Sequence, residues 1–438
     1  MLTIRNNIQS EMIWITMEDL VPQESLYRKI DKFIDFTFIY DLVKDYYSSD
    51  NGRPSLDPVV LFKLVFIQTL DGLKSMRKTC EKIKVDAEYR WFLNIPYGTD
   101  TPHFSTFSKN YERRFKDSDI FETIFIDIVK QAIEAGLVDG KTLFTDSTHK
   151  KANANKNKFE QELIETVQQR KEWLEEEINQ ERVKQGYKPL KPKPKKEQKN
   201  IRVSTTDPES GYYHRDHKER GFMYLDHRTV DGKCNIIVDC HITKGNVHDS
   251  QPYIERMEWI KETFDFQVES VALDSGYDTI EIKKYLTEQD IFGVIGYRRY
   301  GTPESRKFKK QFEYVVSGDY YMNKQTGEVL QYSGLVNRQG YKTYQNHQKD
   351  LKLLRSIHEE IHQQYQANRL TPEGKLLYSQ RKETVERSFA DSKQNHGYRY
   401  AMVKGLQKNQ HYTWLICAAQ NMKNIAIKRD RLMKSHQN

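Results

Sequence analysis

The chain has 438 residues, with 70 Lys and Arg against 62 Asp and Glu, a formal net charge of +8. At roughly 100–200 residues per domain this length fits about two to four domains, and 20 Phe with 27 Tyr supply enough buriable surface to exclude wholesale disorder. No run of about 18 uncharged apolar residues is present, which excludes a spanning helix. The N-terminal stretch Met1-Leu2-Thr3-Ile4-Arg5-Asn6 lacks a secretory leader pattern, and Cys80, Cys234, Cys240 and Cys417 form no CxxC pair. The expectation is a reducing, cytoplasmic setting with no membrane partner. The mildly basic balance permits nucleic acid without demanding it.

Residues 1–135 read as mostly helical. Asp57-Pro58 is a helix start signal, followed by a nearly continuous apolar run over 59–70 that predicts a helix buried on most sides. Further helices are expected at 75–84, 87–93 and 103–115. The last sets Phe104, Phe107, Tyr111 and Phe115 on one stripe, with Lys109, Arg113, Arg114, Ser105, Ser108 and Asn110 opposite. Short helices ending in such a face resemble a helix-turn-helix that contacts DNA, and the plain alternative is a helical bundle with a solvated face.

From residue 141 the pattern changes. Residues 141–145 read as a strand ending at Asp146, and 159–182 as a charged helix with Phe159, Leu163, Val167, Leu174 and Ile178 at helical spacing. The Lys/Pro run 188–196 reads as an extended basic linker. Two apolar stretches around Asp231-Gly232 predict a hairpin. A helix over 251–264, a strand over 268–273 ending at Asp274, a helix over 280–286 and a strand over 291–295 complete a mixed sheet covered by helices. Residues 300–370 form a polar interruption, stranded around 320–321 and 329–330 and helical from 351 to 365. Helices over 373–393 and 409–431 close the chain.

Asp146 and Asp274 both end strands, where ligands collect in sheets with helical crossovers. Two acids placed there repel unless a proton or metal intervenes, and oxygen donors favour Mg²⁺ or Mn²⁺ while no His/Cys cluster argues for zinc. Taken singly, each aspartate reads better as a cap of its turn. Glu386 lies on the closing helix and shares a face with Lys393, seven residues on. His248 and Asp249 stand at a strand-to-helix junction, where one or the other is expected to cap the helix and steady the site.

Three acids in this order resemble those of the DDE transposases of bacterial insertion sequences. The flanking words agree: Asp146 with Ala152-Asn153-Ala154-Asn155-Lys156, then Thr243-Lys244-Gly245-Asn246-Val247-His248-Asp249-Ser250, Asp274-Ser275-Gly276-Tyr277, and Val385-Glu386-Arg387-Ser388-Phe389 with Lys393. The resemblance implies an RNase H-like mixed sheet flanked by helices, preceded by an all-α helix-turn-helix-like domain and interrupted by a small insertion. It implies domains at 1–135 (DNA-binding), 136–299 (first part of the catalytic domain, with 157–203 as charged helix and linker), 300–370 (insertion) and 371–438 (closing helices and basic tail). Asp146, Asp274 and Glu386 would be the catalytic and metal-binding triad for two Mg²⁺ or Mn²⁺ ions. Tyr378, Arg381 and Lys393 would position DNA strands. The spacing from Arg381 to Glu386 is one residue longer than the family's pattern, which leaves Lys382 as an alternative. Relatives often carry cysteines in the insertion; this chain has none there, so no zinc is expected.

The implied activity is metal-dependent cleavage at insertion-sequence ends and strand transfer into target DNA. Its partners would be double-stranded DNA, as element terminal repeats and target, and a second copy of the chain in a synaptic homodimer on the nucleoid. Two rivals stand: a metal-dependent nuclease of the same fold, and an inactive or domesticated DNA-binding protein.

Overall fold

The computed structural model describes residues 12, 14–48, 55–167, 172–190, 196–214, 220–297 and 303–437. Its N-terminal part is helical: α1 (Met17–Leu20), α2 (Leu26–Phe33), α3 (Phe38–Val43), α4 (Pro58–Leu70), α5 (Met76–Ile83), α6 (Ala87–Phe92), α7 (Thr106–Asn110) and α8 (Ile120–Glu134), with a π-helical turn, Tyr111–Phe115, after α7. Caps set these starts. Asp57 accepts the N–H groups of Val59 and Val60 with Pro58 at the first helical position, and Ser75 and Asp86 cap α5 and α6 likewise. The apolar run in α4 is buried on nearly every side, as its composition requires.

The central region runs β1 (Thr142–Lys151), β2 (Phe159–Val167), α9 (Glu172–Lys184), β3 (Lys196–Ser204), β4 (Gly211–Tyr213), β5 (Gly221–Asp231), β6 (Ile236–Lys244), α10 (Tyr253–Phe264), β7 (Ser270–Leu273), α11 (Ile280–Glu288) and β8 (Phe292–Ile295). Six of these strands make one mixed sheet. It runs β4-β5-β1-β7-β8, with β6 also on β5; β5 and β6 pair antiparallel to their neighbours, while β1, β7 and β8 run parallel. This is the helix-flanked α/β sheet the sequence leads one to expect.

Next come α12 (Pro303–Lys310), β9 (Phe312–Val315), β10 (Tyr320–Asn323), β11 (Val329–Val336), β12 (Tyr341–Gln345) and β13 (Lys352–Ser356), then α13 (Glu359–Leu370), α14 (Pro372–Gln380), α15 (Val385–Asn395) and α16 (Leu406–Gln437). Strands β9 to β13 form a separate antiparallel sheet around Phe312, Tyr321, Leu330, Tyr344 and Leu353. Helix α16 packs on α2, α4, α8 and β6, so one continuous core joins Phe62 and Phe125 of the N-terminal helices to Val230, Leu273 and Leu415. Among the described residues no helix is long and apolar enough to cross a membrane.

Four expectations need correction. The first half of the charged helix at 159–182 is strand β2, paired with β3 over nine residues. Residues four apart share a face in a strand as well as in a helix, so the spacing of Phe159, Leu163 and Val167 in the sequence does not separate the two. Residues 191–195 of the basic linker lie outside the described residues, and Lys196 already belongs to β3. The helix at 351–365 begins only at Glu359, because Lys352–Ser356 pairs with β12. The helix at 373–393 is broken at residues 381–384. There Thr384 (φ −111°, ψ −98°) leaves helical geometry and its hydroxyl bonds back to the carbonyls of Gln380 and Arg381, competition with the backbone that threonine is prone to.

Candidate active site

Strands β1 and β7 pair in parallel from Thr142↔Ser270 to Thr145↔Leu273. The next residue on each is an aspartate, so Asp146 and Asp274 emerge side by side where β7 ends. Asp274 closes its strand, and its Oδ1 accepts the Ser275 N–H at 2.6 Å. Asp146 does not end β1, as the sequence reading has it. That strand continues to Lys151 along β5, with no partner among the described residues on its other side until Lys151 bridges to Tyr400, and this gap beyond Asp146 leaves a cleft of about 1180 Å³ that both aspartates line.

Burial pushes the Asp146 carboxyl up to about 6, the nearby charges of Asp274 and Asp249 add to the push, and Arg381 with the Ser147 N–H opposes it. Arg381 sits in the break between α14 and α15. Its Nη2 donates to Asp146 Oδ2 at 2.7 Å, and its Nη1 donates to the Tyr378 hydroxyl at 3.3 Å and lies 4.0 Å from Glu386 Oε1. Thus the kink that the helical pattern conceals is what brings Tyr378, Arg381 and Glu386 toward Asp146. Glu386 remains 47% exposed in its side chain. Two turns along α15, Lys393 donates to the Thr148 hydroxyl, and burial lowers its ammonium pKa.

Asp249 lines the same cleft and accepts the Ser147 hydroxyl. A Cβ on Gly276 would sit 2.6 Å from Asp249 Oδ2, so the word Asp274-Ser275-Gly276 needs glycine for this approach. His248 is exposed and shares a hydrogen bond with Ser250 at 2.8 Å. The expected cap is absent: Pro252 precedes the first helical residue, Tyr253, and no side chain caps α10.

Among the described residues no three His, Cys, Asp or Glu side chains gather as a metal site. The Arg381 guanidinium occupies the space between Asp146 and Glu386 and stands as the local cation. The donor set nevertheless suits a hard divalent ion: Asp146, Asp274 and Asp249 offer oxygen only, on one cleft.

The N-terminal basic residues lie elsewhere, and none lines the cleft. Lys109 and Arg113 are exposed. Arg114 is half-buried: it donates to Asn110 Oδ1 on the same face and its guanidinium lies 4.4 Å over the Tyr47 ring. Sequence reasoning missed Ser147 and Thr148, which hold Asp249 and Lys393, and missed the buried pair Asp226 and Arg228. Two charges inside the apolar strand run 222–230 were the available signal.

Residues 15–113 match the family model of a transposase domain (DUF772), and residues 338–426 that of a transposase DDE domain. The second span contains Arg381, Glu386 and Lys393. None of the curated proteins compared matches the chain. Among solved structures, a piggyBac transposase synaptic complex with hairpin DNA is 11% identical over 94% of this chain and 74% of that one, at a TM-score of 0.36. A Mos1 transposase paired-end complex with the left transposon end is 9% identical over 59% of this chain and 64% of that one, at a TM-score of 0.18.

Proposed function

We propose, on the premise of a chain that carries the domains of a DDE-type transposase, that it cleaves DNA at insertion-sequence ends and joins the freed 3′-hydroxyl to target DNA. The observation that carries this reading is the pair Asp146 and Asp274, side by side beyond a parallel strand pair and lining one cleft. Asp146, Asp274 and Glu386 would hold Mg²⁺ or Mn²⁺, in two positions. Bound there, such ions activate the attacking oxygen and stabilise the leaving one.

The chain's own residues do the rest. Arg381 neutralises Asp146 in the resting site, and with Tyr378 it orients the strand to be cut. Lys393, held over Thr148, offers a cation to phosphoryl oxygens as they gain charge. Asp249 fixes Ser147 beside Asp146, and His248 stands on the loop that carries it. Lys109 and Arg113 bind the phosphate backbone of the terminal repeats, a contact that adds affinity without sequence information. Two copies of the chain pair the two element ends on the nucleoid.

The direct experiment is Asp274→Asn with end-bearing DNA and Mg²⁺. Strand cleavage is expected to fall below detection while end binding stays within about twofold of wild type. Unchanged cleavage removes Asp274 from the triad. A DNA-binding protein with idle acids draws on the lack of a three-carboxylate cluster among the described residues. Mg²⁺-dependent nicking by the wild-type chain excludes it, and joined product from a supplied 3′-hydroxyl end excludes a simple nuclease.

A further inference from the structure

The sheet face that carries Asp146 holds a second set of charges with no part in the roles above. Alternate residues of a strand share a face, so Asp146 and Thr148 of β1 point the same way. In the antiparallel register they stand opposite Arg228 and Asp226 of β5. The Arg228 and Asp226 side chains are both 0% exposed and are joined at 2.8 Å from Nη2 to Oδ2.

Arg228 reaches further. Its Nη1 donates to Ser388 Oγ and Ser392 Oγ on α15, at 2.9 Å each. Gln420 of α16 closes the network: its Oε1 accepts the Ser392 hydroxyl at 2.6 Å and its Nε2 donates to the Ser388 carbonyl at 3.2 Å. The Phe389 ring lies 4.6 Å from the guanidinium carbon.

Ser388 and Ser392 are about one helical turn apart, and α15 carries Glu386 just before them and Lys393 just after. One guanidinium on the strand beside β1 therefore fixes both the roll and the axial position of that helix. Stability alone does not account for it, because a buried ion pair is commonly no more stabilising than a well-packed apolar replacement. What a planar fork adds is directional geometry, which apolar side chains sliding past one another lack.

We propose that Arg228 is a positioning residue: through Ser388 and Ser392 it sets α15 against β1, and so sets the distance of Glu386 from Asp146 and the reach of Lys393 to Thr148. This rests on the reading of Asp146, Asp274 and Glu386 given above.

The test uses the full chain with Ser388→Ala and Ser392→Ala together, which leaves Arg228 paired to Asp226. Amide exchange over 385–395 is expected to quicken at least tenfold. Cleavage should fall at least tenfold, half-saturation by Mg²⁺ should rise several-fold, and end-DNA binding should stay within twofold. Ser388→Thr with Ser392→Thr returns both hydroxyls and should recover most of each loss. If the double alanine chain does not fold, Gln420→Met removes only the outer partner and should shift the same readouts in the same direction by less. Unchanged exchange over 385–395 overturns the proposal. So does a parallel loss of melting temperature, DNA binding and cleavage with Mg²⁺ half-saturation unmoved. Failure of the transposase reading looks different: the wild-type chain does not cleave, or Asp274→Asn still does, while exchange over 385–395 decides the positioning claim on its own.

Discussion

Arg381 donates from Nη2 to a carboxylate oxygen of Asp146 at 2.7 Å, across 235 positions of sequence. Their side chains are 5% and 19% exposed, so water shields the pair poorly. Removing one partner of such a pair leaves an uncompensated charge and costs about 3 kcal/mol. Arg381→Ala is therefore expected to lower stability by that order in urea unfolding without divalent metal. Mg²⁺ supplies a replacement cation, so it should restore more stability to the variant than it adds to wild type. An equal loss with and without Mg²⁺ would show that Asp146 holds no ion.

A pH dependence follows from the join between α16 and the N-terminal helices. The His411 ring stacks 4.7 Å from Phe121 and 5.8 Å from Trp414, and the Tyr111 hydroxyl lies 3.1 Å from its Nδ1. Burial lowers the imidazole from 6.5 to about 4. Above pH 6.5 both folded and unfolded chains are neutral here and stability is full. As pH falls from 6.5 toward 4 the unfolded chain takes the proton first, and up to about 3 kcal/mol is lost. His411→Phe should flatten this acid slope, with a cost of about 1 kcal/mol at pH 8 for the lost Tyr111 bond. Urea unfolding at pH 8, 6 and 5 measures both, and identical slopes would clear His411 as the source.

Where chemistry is local, the sequence was readable. Asp57-Pro58, Ser75 and Asp86 set helix starts through bonds spanning two or three residues, and Asp274 closes an apolar strand whose end is visible in the residues themselves. Where long-range pairing decides, it was not. Phe159, Leu163 and Val167 satisfy a helix stripe and a strand face equally, and only the partner strand Lys196–Ser204 settles the choice. The break at residues 381–384 contains neither Gly nor Pro. It depends on the Thr384 hydroxyl bonding backward and on Arg381 finding Asp146. The acids were thus legible as single residues, while the arrangement that brings Glu386 near them was a tertiary outcome.

Gly72 marks the contact between the N-terminal helices and the end of α15. Its φ is +57°, and a Cβ there would lie 2.6 Å from the Asn395 carbonyl oxygen and 3.2 Å from the Gly397 nitrogen. Both obstacles are backbone, which cannot swing aside as a side chain can. Gly72→Ala combines left-handed strain with this clash and should cost about 2–3 kcal/mol. Thermal unfolding reads the loss, and amide exchange should report it at 393–397 as well as around residue 72. A change below about 0.5 kcal/mol, the usual range for surface positions, would show that this contact does not hold the two parts together.

The insertion depends on a polar centre because its apolar core is small. Asp319 (φ +48°) accepts the hydroxyls of Tyr314, at 2.8 Å, and of Tyr344, which is fully buried, and Lys342 lies 3.5 Å away. Side chains of β9 and β12 thus converge on one carboxylate just ahead of β10, at a position with a left-handed backbone, a conformation Asp and Asn adopt more readily than most residues. Asp319→Ala strands two tyrosine hydroxyls and adds backbone strain, for an expected loss of about 2–4 kcal/mol. Asp319→Asn keeps the backbone preference and should lose about half as much. The sheet β9 to β13 has its own core, separate from the one around Leu273, so the damage should stay local. Exchange over 312–356 should quicken while Mg²⁺-dependent cleavage persists. Loss of cleavage together with insertion stability would instead mean that this sheet takes part in assembling the cleft of Asp146 and Asp274.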